Sequence, residues 1–230
     1  MTMIADNLQA VHARVTAACV AAGRAVHSVT LMAVCKTFSV GDIEQAIAAG
    51  QTCLGENYIQ EAVAKILVLG HTSVQWHCIG PVQSNKTRLV AEHFDWVQSV
   101  DRLKIAQRLS EQRPAHLQPL QICIQVNTDG GTNKAGVAPE ELAVLAHAVA
   151  RLPRLTLRGL MSIPEPASDF ATATALHLRA RRLMEGLNAD GLQLDTLSMG
   201  MSADLEAAIH AGSTMVRVGT AIFGGRTRPA

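Results

Sequence analysis

The sequence predicts an α/β fold: a single (β/α)8 barrel of the TIM type, with an extra helix at the N-terminus. Three observations predict it. Eight short apolar runs rich in β-branched residues alternate with longer segments of helical period. The alternation fills 230 residues, a length that suits this barrel. Unusual polar residues gather at the C-terminal ends of the runs, where such a barrel carries its chemistry. A doubly wound open sheet would give the same alternation, and periodicity alone leaves it open.

The elements follow in order. Segment 2–22 has the pattern of an amphipathic helix ahead of the first strand. The first strand, 29–36 (VTLMAVCK), is made of residues that a protein hides, until it ends on Lys36. An unpaired ammonium is costly to bury, so this lysine either snorkels at the strand end or is needed there as an amine. Helix 41–50 leads to strand 52–55 (TCLG), helix 56–69 to strand 74–79 (VQWHCI), and strand 95–98 (DWVQ) to helix 101–112. Strand 120–127 (LQICIQVN) precedes helix 139–150, which opens on a proline and two acids, as helix starts do. Strand 156–163 (TLRGLMSI), helix 169–189, strand 194–199 (LDTLSM), helix 203–211 and strand 214–218 (TMVRV) complete the series. Only GTAIFGGRTRPA remains, so the eighth outer helix is expected to be missing or reduced, with helix 2–22 covering part of the gap. No Ser/Pro/Gly linker divides the chain, and residues 1–230 are read as one barrel domain.

Composition narrows the function. The chain is 48% hydrophobic and 17% charged, with a formal net charge of +1. No single-sign field is available to attract nucleic acid or an anionic membrane, and neither is expected as a partner. The five cysteines lie singly and form no CxxC pair; they read as reduced core residues of a cytoplasmic protein. The N-terminus lacks the apolar region of a signal peptide, and no run approaches the ~20 apolar residues of a membrane span. With 3% aromatic residues no interface anchor stands out, and a monomer is the expectation.

The polar residues at the strand ends form a pattern. Lys36 and Thr37 end strand one; Glu56, Asn57 and Tyr58 follow strand two; His77 ends strand three, with Lys86 beyond it. Asn127 ends strand five and Ser162 ends strand six. SMGMS, ending in Ser202, follows strand seven, and strand eight carries Arg217 ahead of Gly219 and Thr220. Loops after strands seven and eight, with a helix N-terminus, are the usual phosphate cup of this fold. An amine at the barrel mouth facing such a cup is what pyridoxal 5'-phosphate (PLP) requires: Lys36 for the aldehyde, the cup for the phosphate. Strand alternation puts Arg217 and Gly219 on the same side. There an arginine would donate to an unprotonated ring nitrogen; its alternative is a salt bridge at the barrel end.

The blocks AVCKT, GENYIQEA, WHCIGPVQSNK, QVNTDGGTNKAGV, RGLMSI, LSMGMSADLEAAI and GSTMVRVGTAIFGGR, in this order, resemble the YggS/PROSC family of pyridoxal phosphate homeostasis proteins. The resemblance covers residues 30 to 226. It implies a fold type III barrel like the N-terminal domain of alanine racemase. It implies Lys36 as the Schiff-base lysine, Ser202, Gly219 and Thr220 at the phosphate, Arg217 at the pyridine nitrogen and Asn57 beside the cofactor. It also implies a role in holding and delivering PLP without an established turnover reaction. Cys35, Phe38 and loop 128–133 depart from the family pattern, while Lys86 and Lys134 match lysines that the family carries.

A carrier and a small PLP enzyme, such as an amino-acid racemase, compete as readings. A two-base racemase needs a second acid or base opposite the lysine. In alanine racemases a tyrosine from a second domain serves. Here the single tyrosine, Tyr58, lies on the barrel's own second loop and is expected to pack. An open site also excludes water poorly. The expectation is a carrier whose recipients are apo PLP-dependent enzymes. A phosphate-sugar enzyme on a related barrel is a third reading, in which Lys36 stays unmodified.

Overall fold

The computed structural model describes residues 2–70, 73–130 and 135–225. Its eight strands are β1 (Thr30–Val34), β2 (Cys53–Glu56), β3 (Gln75–Cys78), β4 (Trp96–Val100), β5 (Leu120–Gln125), β6 (Leu155–Met161), β7 (Thr196–Ser198) and β8 (Met215–Val218). All pair in parallel in chain order, and β8 pairs back onto β1, so the sheet is a closed barrel and not an open one. Closure removes both sheet edges, the part of an open sheet that most needs protection.

Nine α-helices are described: α1 (Met3–Ala21), α2 (Val40–Ala48), α3 (Ile59–Leu69), α4 (Thr87–His93), α5 (Leu103–Gln112), α6 (Pro139–Ala150), α7 (Phe170–Ala189), α8 (Leu205–His210) and α9 (Thr220–Phe223). Helix α4 has no counterpart in the sequence reading. It has only seven residues, after a short 3-10 turn at Ser84–Lys86, too few for a clear period.

The core has two parts. A large cluster lies between barrel and helices, while Met32, Cys53 and Met215, and separately Trp96, Cys123 and Met161, fill the barrel interior. The interior is tight at its glycines: a Cβ on Gly159 would lie 1.7 Å from the Thr196 carbonyl oxygen. All five cysteines are buried and unpaired.

The reduced end of the barrel is as expected. After β8 the chain makes only the four-residue α9, and α1 packs on α8, α9 and α2. The buried stripe Ile4, Leu8, Val11, Val15 and Ala18 faces inward at helical spacing. Polar contacts secure it: Asn7 Nδ2 donates to Ile222 O at 3.0 Å, Arg14 pairs with Glu206 at 2.8 Å, and Arg24 donates to Ile209 O and Ser213 O. Among the described residues no helix is long and apolar enough to cross a membrane.

Candidate functional site

Lys36 follows β1 in a tight turn, half-buried, and Thr37 after it adopts φ 68°. Met32 lies opposite Arg217 and Ala33 opposite Val218, so the end of β1 runs alongside Gly219 and Thr220. The two ends approach closely; a Cβ on Gly219 would lie 3.1 Å from Val34 O. Gly219 O accepts from both Ile222 N–H and Phe223 N–H. The amides of Thr220 and Ala221, in the first turn of α9, are therefore left over by the helix and available to an anion.

Across the seam, the loop after β7 is shaped by Gly200, at φ 88°, where a Cβ would lie 2.5 Å from that of Ala208. The sequence put Ser202 at a helix N-terminus. Helix α8 in fact starts at Leu205 with Asp204 in the N-cap position, so Ser202 sits in the turn just before it. Asp204 anchors this turn: Oδ1 accepts Met201 N–H at 2.7 Å, and Oδ2 meets His177 Nε2 at 2.9 Å. Burial alone would raise the Asp204 carboxyl. The hydrogen bonds from His177 and Met201 N–H outweigh burial and hold it below the usual carboxylate range.

Arg217 lies beneath the mouth, 4% exposed. It donates to Ser198 O and Ser198 Oγ, both at 2.7 Å, and to Ser162 O at 2.9 Å. Among the described residues no carboxylate accepts from it, so the barrel-end salt bridge is not what holds it. Burial lowers its pKa to about 10, which still leaves it a cation and a donor at neutral pH. Beneath it a polar chain crosses the interior. Ser198 Oγ donates to Gln98 Oε1 at 2.7 Å, and Gln98 Nε2 donates to His77 Nδ1 at 3.1 Å. His77 therefore carries its proton on Nε2, 3.2 Å from Cys53 Sγ. Burial pushes the His77 pKa down to about 3, so the ring stays neutral.

Asn57 lies just past β2, held close to the loop after β3. A Cβ on Gly80 would fall 2.3 Å from Asn57 O, so only glycine fits. Asn57 Oδ1 and Ser162 Oγ are both buried without a hydrogen-bond partner. Most buried polar atoms are paired, so two orphans near one mouth mark a place for a polar ligand. With the leftover amides, the Arg217 donor and a primary amine, that of Lys36, which pairs with no carboxylate among the described residues, the set fits PLP.

The structure thus brings Lys36, Arg217, Gly219 and Thr220 to one seam, with Ser202 on the neighbouring loop and Asn57 at the end of β2. Tyr58 differs from expectation. It is 56% exposed and, with Asn57, Gln83 and Lys86, lines a surface cleft of 460 Å³ instead of packing. Lys134 and residues 131–133 of the expected loop lie outside the described residues.

The sequence reading missed a buried ionic cluster behind Lys36. Lys65 Nζ contacts Glu61 Oε1 at 2.6 Å, Glu56 Oε1 at 2.7 Å and Cys35 O at 3.1 Å. Burial works against the ammonium, but the two carboxylates more than offset it and raise the Lys65 pKa. A signal was present: Lys65 continues the three-residue spacing of the buried Ile59 and Ala62.

Residues 7–227 match the family described as alanine racemase, N-terminal domain. The pyridoxal phosphate homeostasis protein of Pseudomonas aeruginosa is 57% identical over 226 residues, covering 98% of this chain and 97% of that protein. The protein of the same name from Escherichia coli K12 is 52% identical over 229 residues, covering 98% of each. This chain belongs to the pyridoxal phosphate homeostasis protein family. Among solved structures, PipY of Synechococcus elongatus with PLP bound superposes with a TM-score of 0.84 at 36% identity, covering 96% of this chain and 100% of that one. Alanine racemase from Corynebacterium glutamicum shares the fold, with a TM-score of 0.71 at 18% identity, and this chain covers 59% of it. The family thus places a homeostasis protein on the barrel that alanine racemases carry as one part of a longer chain.

Proposed function

We propose that this chain holds PLP through a Schiff base on Lys36 and delivers it to apo PLP-dependent enzymes. One observation carries the reading. Lys36 follows the end of β1, the strand that runs alongside β8 toward Gly219 and Thr220, and Arg217 is the register partner of Met32 farther down the same pair. Lys36 would hold the cofactor through its aldehyde carbon. The amides of Thr220 and Ala221, together with Ser202, receive the phosphate; Asn57 lies beside the cofactor. PLP supplies an aldehyde and an electron-accepting ring.

Arg217 decides what that ring can do. A guanidinium donates and does not give up its proton. Facing the ring nitrogen, it keeps that nitrogen unprotonated and so weakens the ring as an electron sink. That favours holding over carbanion chemistry. We further propose that residues 1–230 form one PLP-binding domain, monomeric and cytoplasmic. The five buried, unpaired cysteines suit a reducing compartment.

Borohydride treatment of the loaded protein tests the attachment: the cofactor should be fixed to a peptide containing Lys36, and a label on Lys86 or Lys134 would overturn it. Loaded protein mixed with an apo PLP-dependent enzyme should restore that enzyme's activity. A screen of amino acids for racemisation, transamination and aldol cleavage separates carrier from enzyme. Turnover at about 1–10³ per second, lost in Lys36→Ala, would make this a small racemase-like enzyme instead.

A further inference from the structure

The turn that carries Lys36 is unusual. Thr37 is β-branched yet sits at φ 68°, in the left-handed region where such residues are outliers. A conformation of this kind persists only where its surroundings hold it. Hydrogen bonds on both sides of Lys36 hold it. Thr37 N–H donates to Glu61 Oε1 at 2.9 Å. Cys35 O accepts from Lys65 Nζ at 3.1 Å and from Phe38 N–H at 3.2 Å. Cys35 N–H donates to Gly55 O at 2.9 Å. The Cys35 carbonyl and the Thr37 amide belong to the two peptide groups on either side of Lys36. Both are tied to one ionic cluster on β2 and α3.

We propose that Glu61 and Lys65 are positioning residues for Lys36, fixing the two peptide groups that flank it so that its amine stands ready at the barrel mouth. An ammonium has three donors, and Lys65 spends them on Glu56, Glu61 and the Cys35 carbonyl. A wholly apolar side chain would fill the same space at less cost in desolvation. What it could not do is reach both a backbone carbonyl at the turn and the carboxylate that holds the next amide. The cluster does not touch the amine of Lys36. It acts on the backbone, and the long side chain inherits a fixed starting point. The inference rests on the reading of Lys36 as the attachment point.

Glu61 is the residue to vary, because its side chain is 36% exposed and Lys65 keeps Glu56 as a partner when it is lost. Three measurements are made on Glu61→Ala, Glu61→Gln and the unaltered protein: the rate of PLP capture followed by absorbance, hydrogen exchange at the Thr37 amide, and thermal unfolding. In Glu61→Ala, capture should slow about tenfold, the change expected for one hydrogen bond to a charged group. The Thr37 amide should exchange faster, while the unfolding temperature should fall by only about 3–6 °C, as expected for losing one such bond from an otherwise intact fold. Glu61→Gln keeps an acceptor for Thr37 N–H and should recover most of the capture rate. Unchanged capture in Glu61→Ala, or an equal loss in Glu61→Gln, overturns the proposal. Lys36→Ala is the separate control. If borohydride still fixes PLP to that variant, the attachment reading fails, whereas the exchange at Thr37 still reports whether Glu61 holds the turn.

Discussion

Replacing Lys65 with methionine should destabilise this protein by an amount that grows with pH. Glu56 is fully buried, its Oε1 lies 2.7 Å from Lys65 Nζ, and its Oε2 has no partner. Removing the ammonium strands that carboxylate. Breaking one side of a buried pair costs about 3–5 kcal/mol when the remaining group stays ionised. The alternative is for Glu56 to take up a proton. Burial already raises its pKa, and Lys65, which opposes that shift, is gone in the variant. A carboxyl whose folded pKa is raised contributes its stability below its unfolded pKa, about 4.3, and loses it as pH rises through the folded value. The variant should therefore come closest to the parent in acid and fall furthest below it above neutrality. For a chain of this size each kcal/mol moves the unfolding temperature by about 2–4 °C, so the drop near neutrality should be roughly 6–20 °C. The double variant Lys65→Met with Glu56→Gln should recover much of it and lose the pH dependence. Thermal unfolding from pH 5 to 8 measures all three. A drop under about 3 °C that is flat with pH, or no recovery in the double variant, would refute the reasoning.

Other outcomes follow from single contacts. Gly159→Ala puts a Cβ 1.7 Å from backbone in the β6–β7 seam and should leave little folded protein. Gly186→Ala, on exposed helix α7 with nothing within 4 Å, should instead raise stability by about 0.5–1 kcal/mol; calorimetry of the pair reads both. Asp204 has a lowered folded pKa, so its contribution is present above the unfolded value of about 3.9 and fades as pH falls through the folded one. The gap in unfolding temperature between the parent and Asp204→Asn should accordingly hold from pH 7 to about pH 4 and shrink as pH falls further. Ser202→Ala should weaken PLP binding by about 1.5–3 kcal/mol in titration, and pyridoxal without its phosphate should bind far less well. Equal affinity for pyridoxal and PLP would remove the phosphate cup.

What could be read in the sequence is what local chemistry dictates. A buried parallel strand is a continuous apolar run, so VTLMAVCK and LQICIQVN announced β1 and β5 without tertiary information. Lys36 was visible because it breaks such a run. Arg217 stood out for the same reason, although nothing local revealed that its partners would be oxygens of Ser162 and Ser198, 55 and 19 positions away. Lys65 was overlooked because a lysine in a helix is ordinarily solvated; only β2 packing under α3 makes it internal. The Gln98 and His77 chain was illegible for a related reason. Alternation tells which strand residues share a face, but in a barrel the inner face is as buried as the outer, so polarity alone does not reveal the lumen.

The seating of α1 has a consequence for how the chain reaches this state. Its hydrogen bond from Asn7 to Ile222 spans 215 positions, and the pair between Arg14 and Glu206 spans 192. During synthesis α1 emerges long before α8 and α9, two of the three helices it rests on. Its stripe of Leu8, Val11 and Val15 then waits uncovered while β1 waits for β8. Contacts so distant in sequence are slow to form, and exposed apolar surface in the interval invites association with other chains. Completion should therefore be a late, cooperative event in which α1, α8, α9 and the β1–β8 seam lock together. The turn of Gly219 and Thr220 lies in that last region, so the place for a phosphate comes into being only when the barrel shuts. A ligand that recognises only the shut form would draw the closing equilibrium toward it by mass action, and refolding yield should rise with its concentration.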